Sequence, residues 1–212
     1  MIGDKLVITD YHRRGADLVM ELIRPRLERG ERLIVTVAGE SGSGKSEIGH
    51  CLADLAEQSG KRAFVFGQDD YFHLPPHQNH QRRLEDIGWV GPGEVRLDLL
   101  DAHVVALRDG LTAPLEKPLV YFEEDRIGSE LVEPQPVDLV IAEGTYTSLL
   151  ENADVRAFID RTYLQTKKAR LRRARDPATA FLERVLAIEH EVISQHKARA
   201  DVVIPPPPAE QA

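Results

Sequence analysis

Residues 39–46 read Gly-Glu-Ser-Gly-Ser-Gly-Lys-Ser, after the apolar run 33–38 and before a helical pattern over 47–59. Few local patterns constrain a fold as strongly. A buried strand, a glycine turn and a helix in that order form a phosphate-binding loop. Gly39, Gly42 and Gly44 admit backbone conformations closed to other residues, so successive N–H groups, those of Ser41 and Ser43 among them, can curl around a polyphosphate. The helix that follows turns the positive end of its dipole toward the same point. Lys45 is spaced to reach the β- and γ-phosphates, and the Ser46 hydroxyl to ligate Mg2+. The pattern implies a nucleoside triphosphate, with ATP and Mg2+ as the expected ligands.

At 212 residues the chain suits one α/β domain with a sizeable core. Its net charge of −8 argues against nucleic acid or an anionic membrane as the main partner, since both select a basic face. A small molecule fits better. The single cysteine, Cys51, excludes an internal disulfide framework and falls on the helix after the loop, where a small buried side chain fits. There is no apolar stretch of membrane-spanning length and no signal-peptide layout at the N-terminus. A soluble, cytoplasmic protein is expected. Its oligomeric state is open, a homo-oligomer included.

Leu18, Leu22 and Ile23 predict a helix over 11–29, kinked or shortened at Pro25. Strands are predicted at 33–38, 62–66, 137–142, 158–164 and 200–204, and further helices at 94–108 and 178–199. Residues 71–92 and 111–136 carry proline, histidine and charge without a period, and read as long functional loops. The tail 205–212, with four successive prolines, reads as disordered and falls outside a single domain over 1–204. Strands alternating with helices imply a P-loop NTPase: a parallel five-stranded sheet with helices on both faces, in three α/β/α layers. Ligands of such sheets bind beyond the carboxyl ends of the strands. That collects the phosphate loop, Asp69-Asp70 and Glu143 into one place.

Phosphoryl transfer is mainly positioning and charge neutralisation, so the groups opposite the loop decide the activity. Asp69 or Asp70 can take a proton from an acceptor hydroxyl or hold the metal through water, and the sequence leaves these uses open. Glu143 ends a strand where an acid suits the metal shell, whereas Asp138 starts that strand at the opposite edge and reads as structural. Four arginines fall within residues 170–176, after the fourth strand and so on the ligand side. They suit a lid over 167–178 that neutralises developing charge and excludes water, with Arg172 and Arg173 foremost. His73, His77 and His80 make a poor zinc set, because Pro75 and Pro76 break any helix that would align them and no cysteine completes it. His73 reads instead as an acceptor contact, beside Asp70, Tyr71, Arg83, Arg96 and Asp98. Arg83 and Arg96 hint at an acceptor that already carries phosphate or carboxylate, and surface ion pairs explain them equally well.

In order, the phosphate loop, Gln68-Asp69-Asp70-Tyr71-Phe72, the strand end Glu143-Gly144, Arg172-Arg173-Ala174-Arg175-Asp176 and Ala200-Asp201-Val202-Val203-Ile204-Pro205 resemble the uridine kinase and phosphoribulokinase group of phosphate-loop kinases. The resemblance implies that Asp69 is the catalytic base, that Arg172, Arg173 and Arg175 are the lid arginines, and that Glu143 is the strand-end acid. The departures concern the acceptor. Uridine kinases place Asn-x-Asp-His-Pro-x-Ala-x-Asp before the ribose-handling helix; residues 88–98 here read Gly-Trp-Val-Gly-Pro-Gly-Glu-Val-Arg-Leu-Asp, and only Asp98 matches. Asp70 stands where serine is usual, Glu-Gly-Ile-Leu becomes Glu143-Gly144-Thr145-Tyr146, and His73-Leu74-Pro75-Pro76 replaces an expected arginine.

The expectation is an ATP-dependent kinase acting on a hydroxyl of a nucleoside, sugar or related metabolite, with Lys45 and Arg173 stabilising the transferred group. Uridine itself does not follow. The alternative, a nucleotide-dependent regulatory ATPase or switch, needs a guanine-reading Asn-Lys-x-Asp motif or a water-activating loop, and the sequence has neither.

Overall fold

β1 (Leu33–Gly39) is buried along its whole length, as a strand covered on both faces must be. The structure, a computed structural model, describes residues 6–167, 170 and 179–207. β1 is followed in the chain by β2 (Ala63–Gly67), β3 (Leu115–Tyr121), β4 (Arg126–Val132), β5 (Leu139–Glu143), β6 (Val155–Ile159) and β7 (Val202–Ile204). Five of these make a sheet in the order β2–β5–β1–β6–β7, every neighbouring pair parallel. The register sets Val37 and Gly67 level with Glu143, so three carboxyl ends meet at one edge.

The amphipathic helices cover both faces. α1 (Asp10–Glu28) and α2 (Lys45–Gln58) close one face, where Ile23, Ile48 and Leu52 pack with Val35 and Ile141. α4 (Leu97–Asp109) and α5 (Ala180–Ile193) close the other, with Leu100, Val104 and Ile193 against Ile34 and Val140. Each such side chain, fully buried, contributes about 1.5–3 kcal/mol. α3 (Pro76–Glu85) and the antiparallel β3–β4 hairpin are inserted after β2 and α4 respectively. Among the described residues no helix is long and apolar enough to cross a membrane.

Several boundaries differ from the sequence reading, each for a local reason. α1 continues to Glu28 past Pro25, which lies in its last turn and takes one N–H from the helix ladder without ending it. The fourth parallel strand is Val155–Ile159, not 158–164, because the chain beyond it turns to the phosphate loop: the Tyr163 N–H donates to the Glu40 carboxylate at 2.5 Å. α5 ends at Ile193 and runs on as a tighter 3-10 turn, Ser194–Arg199. The unpatterned stretch 71–92 contains α3, which Pro76 opens at the one place where its missing N–H costs nothing. The stretch 111–136 contains the hairpin. Residues 205–207 have no regular secondary structure, and the rest of the tail lies outside the described residues.

Candidate active site

The loop after β1 turns through two left-handed glycines, Gly42 (φ +75°) and Gly44 (φ +103°), before α2 begins at Lys45. Space enforces the choice as much as dihedral angle. A Cβ at Gly42 would lie 2.7 Å from the Arg170 side chain, and one at Gly44 would lie 2.7 Å from Nε2 of His12 on α1. Lys45 Nζ donates to the Glu40 carbonyl at 3.0 Å, so the ammonium already lies over its own loop. The Glu40 carboxylate is buried and also accepts from His190 Nδ1 at 2.7 Å, which ties the loop to α5.

At the end of β5, Glu143 is buried and hydrogen-bonds the Ser46 side chain. Burial pushes its pKa up to about 7, the Asp69 charge pushes the same way, and Lys45 and Ser46 oppose. Two acids and the loop hydroxyl therefore share one electrostatic site. A divalent cation on Ser46 and Glu143, beside Asp69, would discharge that repulsion, so the site fits Mg2+. No cluster of three or more His, Cys, Asp or Glu suited to a metal occurs among the described residues, so the histidines assemble no separate site.

Asp69 sits in the 3-10 turn Gln68–Tyr71 that ends β2. The turn is fixed from β5: Gln68 is buried and its Oε1 accepts the Tyr146 N–H at 2.6 Å. A Cβ on Gly144 would fall 2.2 Å from Gln68 Cβ, which explains a glycine beside Glu143. Asp69 lines a cleft of about 250 Å³ with Ser41 and Gly42 of the phosphate loop. α3 lines the cleft with Asn79, His80 and Arg83, the hairpin with Val120 and Phe122, and α5 with Phe181, Val185 and Glu189. Lys167 and Arg170, at the start of the expected lid, line it over the loop. The cleft thus spans from the phosphate loop across to α3, the hairpin and α5.

The acceptor set expected from sequence is only partly brought together here. Arg83 lines the cleft, but Tyr71 does not: its ring is buried in the core and its hydroxyl meets His103 Nδ1 at 2.9 Å. Asp70 is also a packing residue. Its carboxylate accepts the Val120 N–H at 2.9 Å and Lys117 Nζ at 3.2 Å, and so docks the hairpin. His73 is exposed beside Trp89, Arg96 lies near Tyr71 and His103, and Asp98 is exposed in the first turn of α4; none of the three lines the cleft. Arg172, Arg173 and Arg175 lie outside the described residues. Asp138 caps the far edge, as expected, by accepting the Arg62 N–H at 2.8 Å, and Cys51 is buried.

Sequence reasoning missed Asn79, Phe122, Phe181 and Glu189. Asn79 and Arg83 occupy helical i and i+4 positions, but their inward face is polar, so no hydrophobic period revealed it. Glu189 falls on the buried side of an amphipathic helix, where an acid is rare without a partner, and that was a usable signal.

Residues 34–175 match the model of the Phosphoribulokinase / Uridine kinase family. A uridine kinase of Listeria innocua is 28% identical over 185 residues, covering 82% of this chain and 86% of its own. Among solved structures, a possible uridine kinase from Bacillus stearothermophilus shares the fold with a TM-score of 0.66 at 19% identity, over 90% of this chain and 97% of its own. Phosphoribulokinase from Rhodobacter sphaeroides has a TM-score of 0.60 at 14% identity, over 82% and 69%. With the phosphate loop, the strand-end acids and a cleft in one place, the chain belongs to the phosphoribulokinase / uridine kinase family and is a kinase that phosphorylates a hydroxyl group.

Proposed function

We propose that the protein transfers the γ-phosphoryl group of ATP to a hydroxyl of a small metabolite bound in the inner cleft, with Asp69 as the base. One observation carries this reading: Asp69 lines the same cleft as Ser41 and Gly42, so a hydroxyl held there faces both the base and the phosphate end of the loop. Backbone N–H groups of residues 42–46 and Lys45 suit the triphosphate. Ser46 and Glu143 would hold Mg2+, which would supply charge neutralisation on the phosphate oxygens.

The chemistry asked of this chain is modest. Asp69 orients the acceptor hydroxyl and takes its proton as the acceptor oxygen bonds to the γ-phosphorus; the bond from that phosphorus to the β–γ bridging oxygen breaks, and ADP departs. Lys45 and the lid arginines, Arg173 foremost, neutralise the charge in flight. Phe122, Phe181 and Val185 exclude water from the reacting end. The relatives' names span a nucleoside and a phosphorylated sugar as acceptors, so the name of a relative does not choose between them.

The reading is tested by ADP formation with Mg2+ and ATP across a panel of alcohols. Acceptor-dependent turnover is expected, and Lys45→Ala should lower it by roughly two to three orders of magnitude. Hydrolysis indifferent to every acceptor would favour the regulatory ATPase instead.

A further inference from the structure

Glu40 is an acid at the second position of a loop built to receive an anion, and it is buried. A buried carboxylate in such a place is costly unless protein donors engage both of its oxygens. Here they do. Oε2 accepts the Tyr163 N–H at 2.5 Å, from the chain just after β6, and Oε1 accepts His190 Nδ1 at 2.7 Å, from α5. A carboxylate only accepts, so the second bond requires the His190 proton on Nδ1. The Tyr163 and His190 rings also lie side by side, with centroids 5.8 Å apart. His190 precedes the end of α5 by one turn and follows Glu189, which lines the cleft.

The same stretch after β6 grips the loop residue by residue. It turns helically, the Thr166 N–H donating to the Thr162 carbonyl at 3.0 Å and the Arg170 N–H to the Thr166 carbonyl at 2.9 Å. Residues 163, 166 and 170 therefore share one face. Along that face Tyr163 meets Glu40, Thr166 Oγ1 donates to the Ser41 carbonyl at 2.8 Å, and Arg170 lies against Gly42. The Glu40 carbonyl is held as well, accepting the Ser43 N–H at 3.1 Å and Lys45 Nζ at 3.0 Å. In a trans peptide the N–H points opposite to the C=O. Fixing the carbonyls of Glu40 and Ser41 thus fixes the N–H directions of Ser41 and Gly42, and turns that of Gly42 away from Thr166.

We propose that Glu40, held by His190, is a positioning residue for nucleotide binding: the pair fixes residues 40–42 in the shape that receives the triphosphate. The inference rests on the phosphate-loop reading above and on no particular acceptor. A loop released from α5 would have to be ordered by the ligand itself, and that ordering is subtracted from affinity. Glu40 does not touch the nucleotide in this arrangement, because both of its oxygens are already engaged.

Two substitutions separate the bond from the packing. His190→Phe keeps a ring beside Tyr163 and removes the donor, whereas His190→Asn keeps a donor near the Nδ1 position and removes the ring. The His190 side chain is 39% exposed, so both should fold. The affinities of a non-hydrolysable ATP analogue and of ADP, each with Mg2+, are read by calorimetry beside the melting temperatures. His190→Phe should weaken both nucleotides by roughly tenfold or more, and His190→Asn should stay within about threefold of wild type. Neither melting temperature should move by more than a few degrees. In a Glu40→Ala background, where the partner is gone, His190→Phe should cause no further loss. His190→Phe that binds like wild type overturns the inference, as does the reverse order, in which Asn weakens binding and Phe does not. A loss that adds to that of Glu40→Ala, or a variant that no longer folds, overturns it too, since His190 would then act elsewhere or only on stability. Wild type that binds neither nucleotide would instead bring down the phosphate-loop reading, and this inference with it.

Discussion

Glu143 is where residue chemistry and stability meet most plainly. Its ordinary pKa of 4.5 rises to about 7 in the fold, because burial and Asp69 both disfavour the charge. The native state therefore binds a proton more readily than the unfolded chain between those values. The sign follows: Glu143 contributes stability in full below about pH 4.5, and loses it as pH climbs through 7. Urea unfolding of the nucleotide-free protein at pH 5 and pH 8 should show wild type losing stability relative to Glu143→Gln over that interval. Parallel curves would mean that the carboxyl is not held in a charge-averse site. Mg2+ with ATP should reverse the loss, since a cation beside the carboxylate favours its ionised form.

The β3–β4 hairpin is the element most dependent on a single contact set. Lys117 is buried and bonds Asp70 at 3.2 Å and Glu130 at 2.7 Å, while Asp70 also takes the Val120 N–H. Removing one partner of such a pair leaves a buried charge uncompensated, at a cost of about 3 kcal/mol. Lys117→Met should accordingly lower the melting temperature by roughly 6–12 °C in a chain of this size. Adding Asp70→Asn to it should recover much of the loss, and a single variant that melts like wild type would contradict this role for the pair. The hairpin also marks the limit of reading elements from pattern. Pro118 and the charges at Glu116 and Lys117 hid β3, and only the tertiary pairing of Lys117 with Asp70 makes a lysine at that position sensible. α3 was hidden similarly, because its inward face is Asn79 and Arg83 and their partner Glu94 lies beyond the end of the helix. The parallel strands were legible for the opposite reason: double burial writes them as unbroken apolar runs.

Over the whole molecule, the phosphate-loop end of the site was legible because backbone geometry there demands particular residues at a particular spacing, as Gly42, Gly44, Lys45 and Ser46 show. The opposite end of the cleft was not, because it is assembled from α3, the hairpin and α5, which meet only in the fold. Tyr71 illustrates the difference. Two residues from Asp69 in sequence, it faces the core and bonds His103, while Glu189, 120 residues along from Asp69, lines the cleft. The central claim is that Asp69 serves transfer rather than nucleotide binding, and the most direct measurement pairs two readouts on Asp69→Asn: ATP affinity by equilibrium titration and phosphoryl transfer to the best acceptor. ATP affinity within a few-fold of wild type, with transfer reduced by roughly two to four orders of magnitude, is the predicted result. Transfer that survives the substitution, or ATP affinity that collapses with it, would contradict the account.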